Sequence, residues 1–110
     1  KIKNLDVLKY IDYLFISDED LFTDIKELSK KVKGWTILHY PAGSYTTDGT
    51  ESFHLKNEII NDIDVLGAGD FFAASFIYKR LTDDNIEKCV SYAHENTKNI
   101  LLERKNGKED

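Results

Sequence analysis

Asp64-Val65-Leu66-Gly67-Ala68-Gly69-Asp70, followed at once by Phe71-Phe72-Ala73-Ala74-Ser75-Phe76-Ile77, constrains this chain more than any other stretch. Gly67 and Gly69 allow a sharp turn that faces backbone N–H groups outward. A helix beginning at Ala68 or Gly69 adds the positive end of its dipole, and the two together make an anion site. Asp70 falls in the first turn of that helix, where a carboxylate is stabilised and can point at whatever the amides hold. Amides around an anion beside a carboxylate base are the equipment for moving a phosphoryl group onto an alcohol. Two other phosphate loops are excluded. A Walker A loop needs Gly-Lys-Ser/Thr, which the sequence lacks, and a dinucleotide fingerprint needs a third glycine where Phe72 stands.

With 110 residues the chain makes one compact domain at most. Its 15 basic and 20 acidic residues give a net charge of −5 and no basic stripe, which argues against a nucleic-acid partner. Cys89 is the single cysteine, so neither a disulfide framework nor a cysteine-based metal site is available. No apolar run approaches the roughly 18 residues of a membrane span, and no signal peptide is visible. A soluble, cytoplasmic protein with no membrane partner is expected.

Along the chain, Asp12 to Ile16 reads as a short buried strand. Ser17 and Asp20 resemble a capping box, opening a helix with Leu21, Phe22, Ile25, Leu28 and Val32 on one face and Gly34 as its stop. Trp35 to Tyr40 is a second strand, and Asp48-Gly49 signals a hairpin between Tyr45–Thr47 and Ser52–Leu55. Ile59 to Ile63 reaches the glycine loop as a strand or extended segment. The helix after the loop is expected to run to about Leu81, with Phe71, Phe72, Phe76 and Tyr78 in the core. Thr82-Asp83-Asp84 is expected to cap a last helix from about Asp84 to Glu103. Its buried face comprises Ile86, Val90, Ala93, Thr97, Ile100 and Leu101, and Asn106 to Asp110 is a polar tail. Alternating strands and helices imply an α/β sheet layered with helices.

From about Asp12 to about Leu102 the chain resembles the ribokinase-like (PfkB) carbohydrate kinases. Their signature is an Asp-Thr-x-Gly-Ala-Gly-Asp loop opening a helix of small and apolar residues. Asp64, Gly67, Ala68, Gly69, Asp70 and Ala74 fit it, Val65 is a tolerated variant, and Ser75 stands where Ala or Gly is usual. The resemblance implies a three-layer αβα fold of which this chain is the C-terminal part. Such kinases are about three times as long, and the sequence opens on Lys1 rather than Met. The substrate pocket would then belong to an N-terminal half.

By the same resemblance Asp70 is the catalytic base, and Gly67, Ala68 and Gly69 form the anion hole. Asp64 matches a position that takes a monovalent cation together with the carbonyl of residue 66. That site also needs a loop of small residues after the last helix, whereas Leu102 to Gly107 is charged and poorly matched, so Asp64 reads equally as a loop cap. Ser17 and Asp20 fall where Asn-x-x-Glu positions magnesium through water, with helix capping as the competing role. His39 and Gly43 fall where Thr-x-Gly-x-x-Gly meets the nucleotide phosphates, although Pro41 replaces the first glycine. A strand-end histidine more often serves packing. His94 follows Ala93 as in the pair beside the adenine, against an ordinary helix-surface histidine. Cys89 reads as a buried structural thiol.

The expectation is an ATP- and magnesium-dependent kinase acting on a sugar or similar small alcohol. The chain alone would lack a substrate site, be inactive, and associate through apolar surface left uncovered. Two alternatives stand beside it. One is a pyridoxal-, hydroxymethylpyrimidine- or ADP-dependent kinase of the same superfamily. The other is a non-catalytic nucleotide-binding or oligomerising domain.

Overall fold

The structure, a computed structural model, describes residues 5–21, 23–59 and 64–109. It falls into two compact units, one ending at Asn57 and one beginning at Glu58.

The first unit starts with a 3-10 helix, Leu5–Tyr10, and then runs β1 (Tyr13–Ser17), α1 (Ile25–Lys31), β2 (Trp35–Tyr40), β3 (Gly43–Thr47) and β4 (Ser52–Lys56). The strands form one sheet in chain order. β1 lies parallel to β2, with Ile16 opposite Leu38, while β2–β3 and β3–β4 are antiparallel. Parallel neighbours need a crossover connection, and α1 provides it. Strand alternation puts Leu14, Ile16 and Leu38 on one face, where they join Leu8, Leu28 and Val32 in the core. Ile37 and Thr46, opposite each other on the other face, are also fully buried.

The hairpin is where the sequence places it, because Asp48 Oδ1 accepts from the N–H groups of Thr50 and Glu51 at 2.9 and 2.7 Å. The first helix is shorter than expected. Ser17 to Asp20 is a turn in which the Ser17 hydroxyl donates to Asp20 Oδ2 at 2.9 Å, and the helix begins only at Ile25. Its cap is Asp24, whose carboxylate accepts from the Lys26 N–H at 2.8 Å. Phe22 lies outside the described residues.

The second unit is two helices, α2 (Ala68–Arg80) and α3 (Ile86–Glu109). They are antiparallel, since Phe71 at the start of α2 meets Arg104 late in α3, while Tyr78 near the end of α2 meets Tyr92 early in α3. Phe72 packs edge-on against His94, the Ser75 hydroxyl accepts from the Asn96 side-chain amide at 2.8 Å, and Tyr78 stacks on Tyr92. Phe72 and Phe76 of α2 are buried, as are Cys89, Val90, Ala93 and Leu101 of α3.

Three expectations need correction here. Tyr78 is 67% exposed rather than core. The cap of α3 is Asn85, whose side chain accepts from the Lys88 N–H at 3.0 Å, while Asp83 only bonds the Asn85 N–H. α3 also continues to Glu109, through the stretch expected to be a tail, because one glycine costs a helix only about 1 kcal/mol. Ile59 is outside any strand, and residues 60–63 lie outside the described residues. Mixed sheet and helices together make the fold α/β.

Candidate active site

The loop before α2 is built by its own polar groups. The Asp64 carboxylate accepts from the Leu66 N–H at 3.0 Å, which is the loop-capping role. The Ala68 N–H closes a turn onto the Val65 carbonyl at 2.9 Å, and Gly67 caps α2 with φ +80°, a left-handed conformation. A side chain at 67 would strain the backbone there by about 1–2 kcal/mol. Its Cβ would meet only Phe71 ring carbons at 3.6 Å, so conformation rather than space demands the glycine. Gly69, by contrast, already sits in the first helical turn and makes no bend.

Helix geometry leaves the N–H groups of Gly69 and Asp70 without intrahelical acceptors, whereas the Ala68 N–H is engaged in the turn. The outward amides of this loop are therefore displaced towards Asp70. Asp70 is exposed in the first turn of α2, and among the described residues no ion pair engages its carboxylate. A carboxylate beside open amides at the positive end of a helix is thus available to a ligand.

Arg104, which no motif singled out, reaches this loop from α3. Its Nη1 donates to the Leu66 carbonyl at 2.8 Å and to the Asp64 carbonyl at 3.2 Å, and lies 3.7 Å from Asp64 Oδ2. The guanidinium also sits over the Phe71 ring, 5.3 Å from its centroid. In sequence it stands in a charged run, which reads as solvated surface. The available signal was the departure from small residues at that place. His94, on the same helix, is half-buried against the Phe72 ring at 4.8 Å.

The remaining candidates belong to the first unit. Ser17 and Asp20 share the turn after β1, where the Asp18 N–H donates to the His39 carbonyl at 3.2 Å. His39 faces Ser17 across the β1–β2 pair, so these three residues gather at one end of the sheet. Burial lowers the His39 pKa from its ordinary 6.5, opposed in part by Asp18 and Asp20. Gly43 is buried in β3 with φ +154°, and a Cβ there would lie 2.1 Å from the Leu55 carbonyl oxygen. The approach of β4 alone accounts for that glycine. Cys89 is fully buried, as expected of a structural thiol. Among the described residues no cluster of three or more His, Cys, Asp or Glu groups could hold a metal, and no helix is long and apolar enough to cross a membrane.

The sequence profile of the pfkB family carbohydrate kinases matches residues 5–98. The chain is 39% identical over 57 residues to an ATP-dependent ribose-1-phosphate kinase of Halopiger xanaduensis, covering 52% of this chain and 17% of that protein. Among solved structures it resembles an adenosine kinase from Sinorhizobium meliloti with a TM-score of 0.74 and 17% identity, over 88% of this chain and 33% of that one. A ribokinase from Thermotoga maritima gives 0.73 and 18%, over 86% and 37%. The fold is therefore ribokinase-like, and the chain spans about a third of these solved kinases.

Proposed function

Because the chain belongs to the pfkB family of carbohydrate kinases, we propose that it carries the catalytic loop of an enzyme moving the terminal phosphoryl group of ATP onto a hydroxyl of a sugar or similar small alcohol. The observation that carries this reading is Asp70, exposed and free of ion pairs among the described residues, at the open amides of the helix start. Asp70 takes the proton from the attacking hydroxyl. The open N–H groups of Gly69 and Asp70, at the end of the Gly67–Gly69 loop, neutralise charge that builds on the phosphoryl oxygens.

His39 and Gly43 are assigned to the nucleotide side, and His94 to the neighbourhood of the adenine. Magnesium in such reactions keeps most of its waters and uses one or two carboxylates. Asp20 fits that need, since its carboxylate is exposed and fixed by the Ser17 hydroxyl at 2.9 Å. The ion, when bound, screens the phosphate charge. Substrate recognition is assigned to parts of the protein outside this chain.

The full-length protein should phosphorylate a member of a panel of sugars, nucleosides and sugar phosphates, with ATP preferred over ADP. Asp70→Asn should lower kcat by at least ~100-fold while nucleotide affinity stays nearly unchanged. A variant keeping more than about a tenth of kcat, with chemistry rate-limiting, overturns the role of Asp70. Residues 1–110 alone should consume no ATP in a sugar-dependent manner. They should also associate with themselves, because Leu66, Tyr78 and Leu81 are 78%, 67% and 79% exposed. A coupled ATPase assay and light scattering check both; sugar phosphorylation by the isolated chain, or a strict monomer, contradicts them.

A further inference from the structure

The resemblance predicts a monovalent metal cation at Asp64 and the carbonyl of residue 66, and the side chains present do not fit one. The oxygens that would hold it are the Asp64 carbonyl, the Leu66 carbonyl and Asp64 Oδ2. Arg104 Nη1 stands among all three, at 3.2, 2.8 and 3.7 Å. A metal ion drawing on the same oxygens would fall where that nitrogen already is, so ion and guanidinium exclude each other. Phe71 packs under the guanidinium, and the Arg104 side chain is only 27% exposed, which limits its freedom to swing away.

We propose that the Arg104 guanidinium is a built-in replacement for a monovalent metal cation at the 64–67 loop, making the enzyme independent of potassium. Two physical demands are met by this one group. Carbonyls of Asp64 and Leu66 converge with a carboxylate, and such a concentration of negative ends needs a positive partner. The same contacts fix the loop that turns, through Gly67, into the amides of the α2 start. Arg104 is therefore a positioning residue. It holds the anion-binding amides in place and adds a fixed positive charge behind them, without touching substrate. A guanidinium remains protonated at any working pH, so the replacement is permanent. This inference rests on the kinase reading above for its catalytic consequence, but not for its ion chemistry.

The test compares KCl with choline chloride at equal ionic strength, on the full-length protein, by turnover and by thermal midpoint. The wild type should show the same midpoint and a kcat within about twofold in both salts. Arg104→Ala should lose at least ~10-fold in kcat in choline and regain most of it in KCl or dilute guanidinium, with a midpoint raised specifically by potassium. Arg104→Lys, which keeps a cation on the side chain, should remain tolerant of choline. A wild type activated more than about fivefold by potassium, or stabilised by potassium over choline, overturns the proposal. So does an Arg104→Ala loss that neither cation rescues, since Arg104 is then only a brace. Should Arg104→Ala fail to fold, the wild-type salt comparison and Arg104→Lys decide alone. Absence of kinase activity in every buffer would defeat the functional reading, while the potassium effect on the thermal midpoint still judges this one.

Discussion

The sheet unit and the helical unit both carry candidate residues but explain them to different degrees. In the sheet unit each has a structural occupation. Gly43 makes room for the Leu55 carbonyl, Ser17 and Asp20 close a turn on each other, and His39 is half-buried at a strand end. In the helical unit the fold leaves something over. Gly67 is needed for its left-handed turn, yet Gly69 occupies an ordinary helical position and Asp70 points into solvent without an ion pair among the described residues. A residue whose backbone conformation or hydrogen bonding does not explain it is the better candidate for chemistry, because something else must account for it.

Substitution of the two glycines separates these cases most widely. Gly43→Ala should destabilise the protein by roughly 3 kcal/mol or prevent folding, since backbone rather than a flexible side chain stands in the way. Gly69→Val should leave the helix propensity of the position nearly unchanged, yet weaken ATP binding and turnover together by at least ~10-fold. Denaturant midpoints and steady-state kinetics give both answers. A well-folded Gly43→Ala protein with impaired nucleotide binding would move Gly43 into the functional class. Normal kinetics in Gly69→Val would reduce the loop to a turn.

The smallest expected effect concerns His39, whose pKa burial holds below 6.5. Well above that pH the ring is neutral whether the chain is folded or not, and it contributes no pH dependence. As pH falls through 6.5 the unfolded chain binds a proton first, so stability is lost until the folded ring protonates as well. His39→Gln should remove this part of the acid loss, read as a flatter dependence of the urea midpoint on pH below neutrality. An unchanged slope would mean that His39 keeps the same protonation in both states.

Legibility in the sequence followed the reach of the forces involved. β2 was plain because an apolar run sits between Gly34 and Pro41, and the β3–β4 hairpin because Asp48-Gly49 carries its own turn chemistry. The start of α1 is not legible because a hydroxyl and a carboxylate three residues apart serve a turn as readily as a cap. The side chain of Asp24 settled that competition instead. The exposure of Tyr78 is not legible, because α2 is apolar on nearly every side and periodicity cannot say which side is covered. In the candidate site, the signature from Gly67 to Asp70 was readable as a local pattern. Arg104 was not, since its contacts join residues about forty positions apart and only helix pairing brings them together.

That long-range contact has a consequence for how the helix pair comes apart. α2 and α3 are joined at one end by residues 81–85 and open at the other, where the chain enters α2 and leaves α3. An open end is where a helical hairpin ordinarily frays first. Arg104 latches that end to Asp64 and Leu66, closing a stretch of 40 residues whose ends would otherwise diffuse apart at considerable entropic gain. Unzipping from the base must therefore release the 64–67 loop in the same step. The loop consequently shares the opening free energy of the helix pair instead of fluctuating as a separate surface segment.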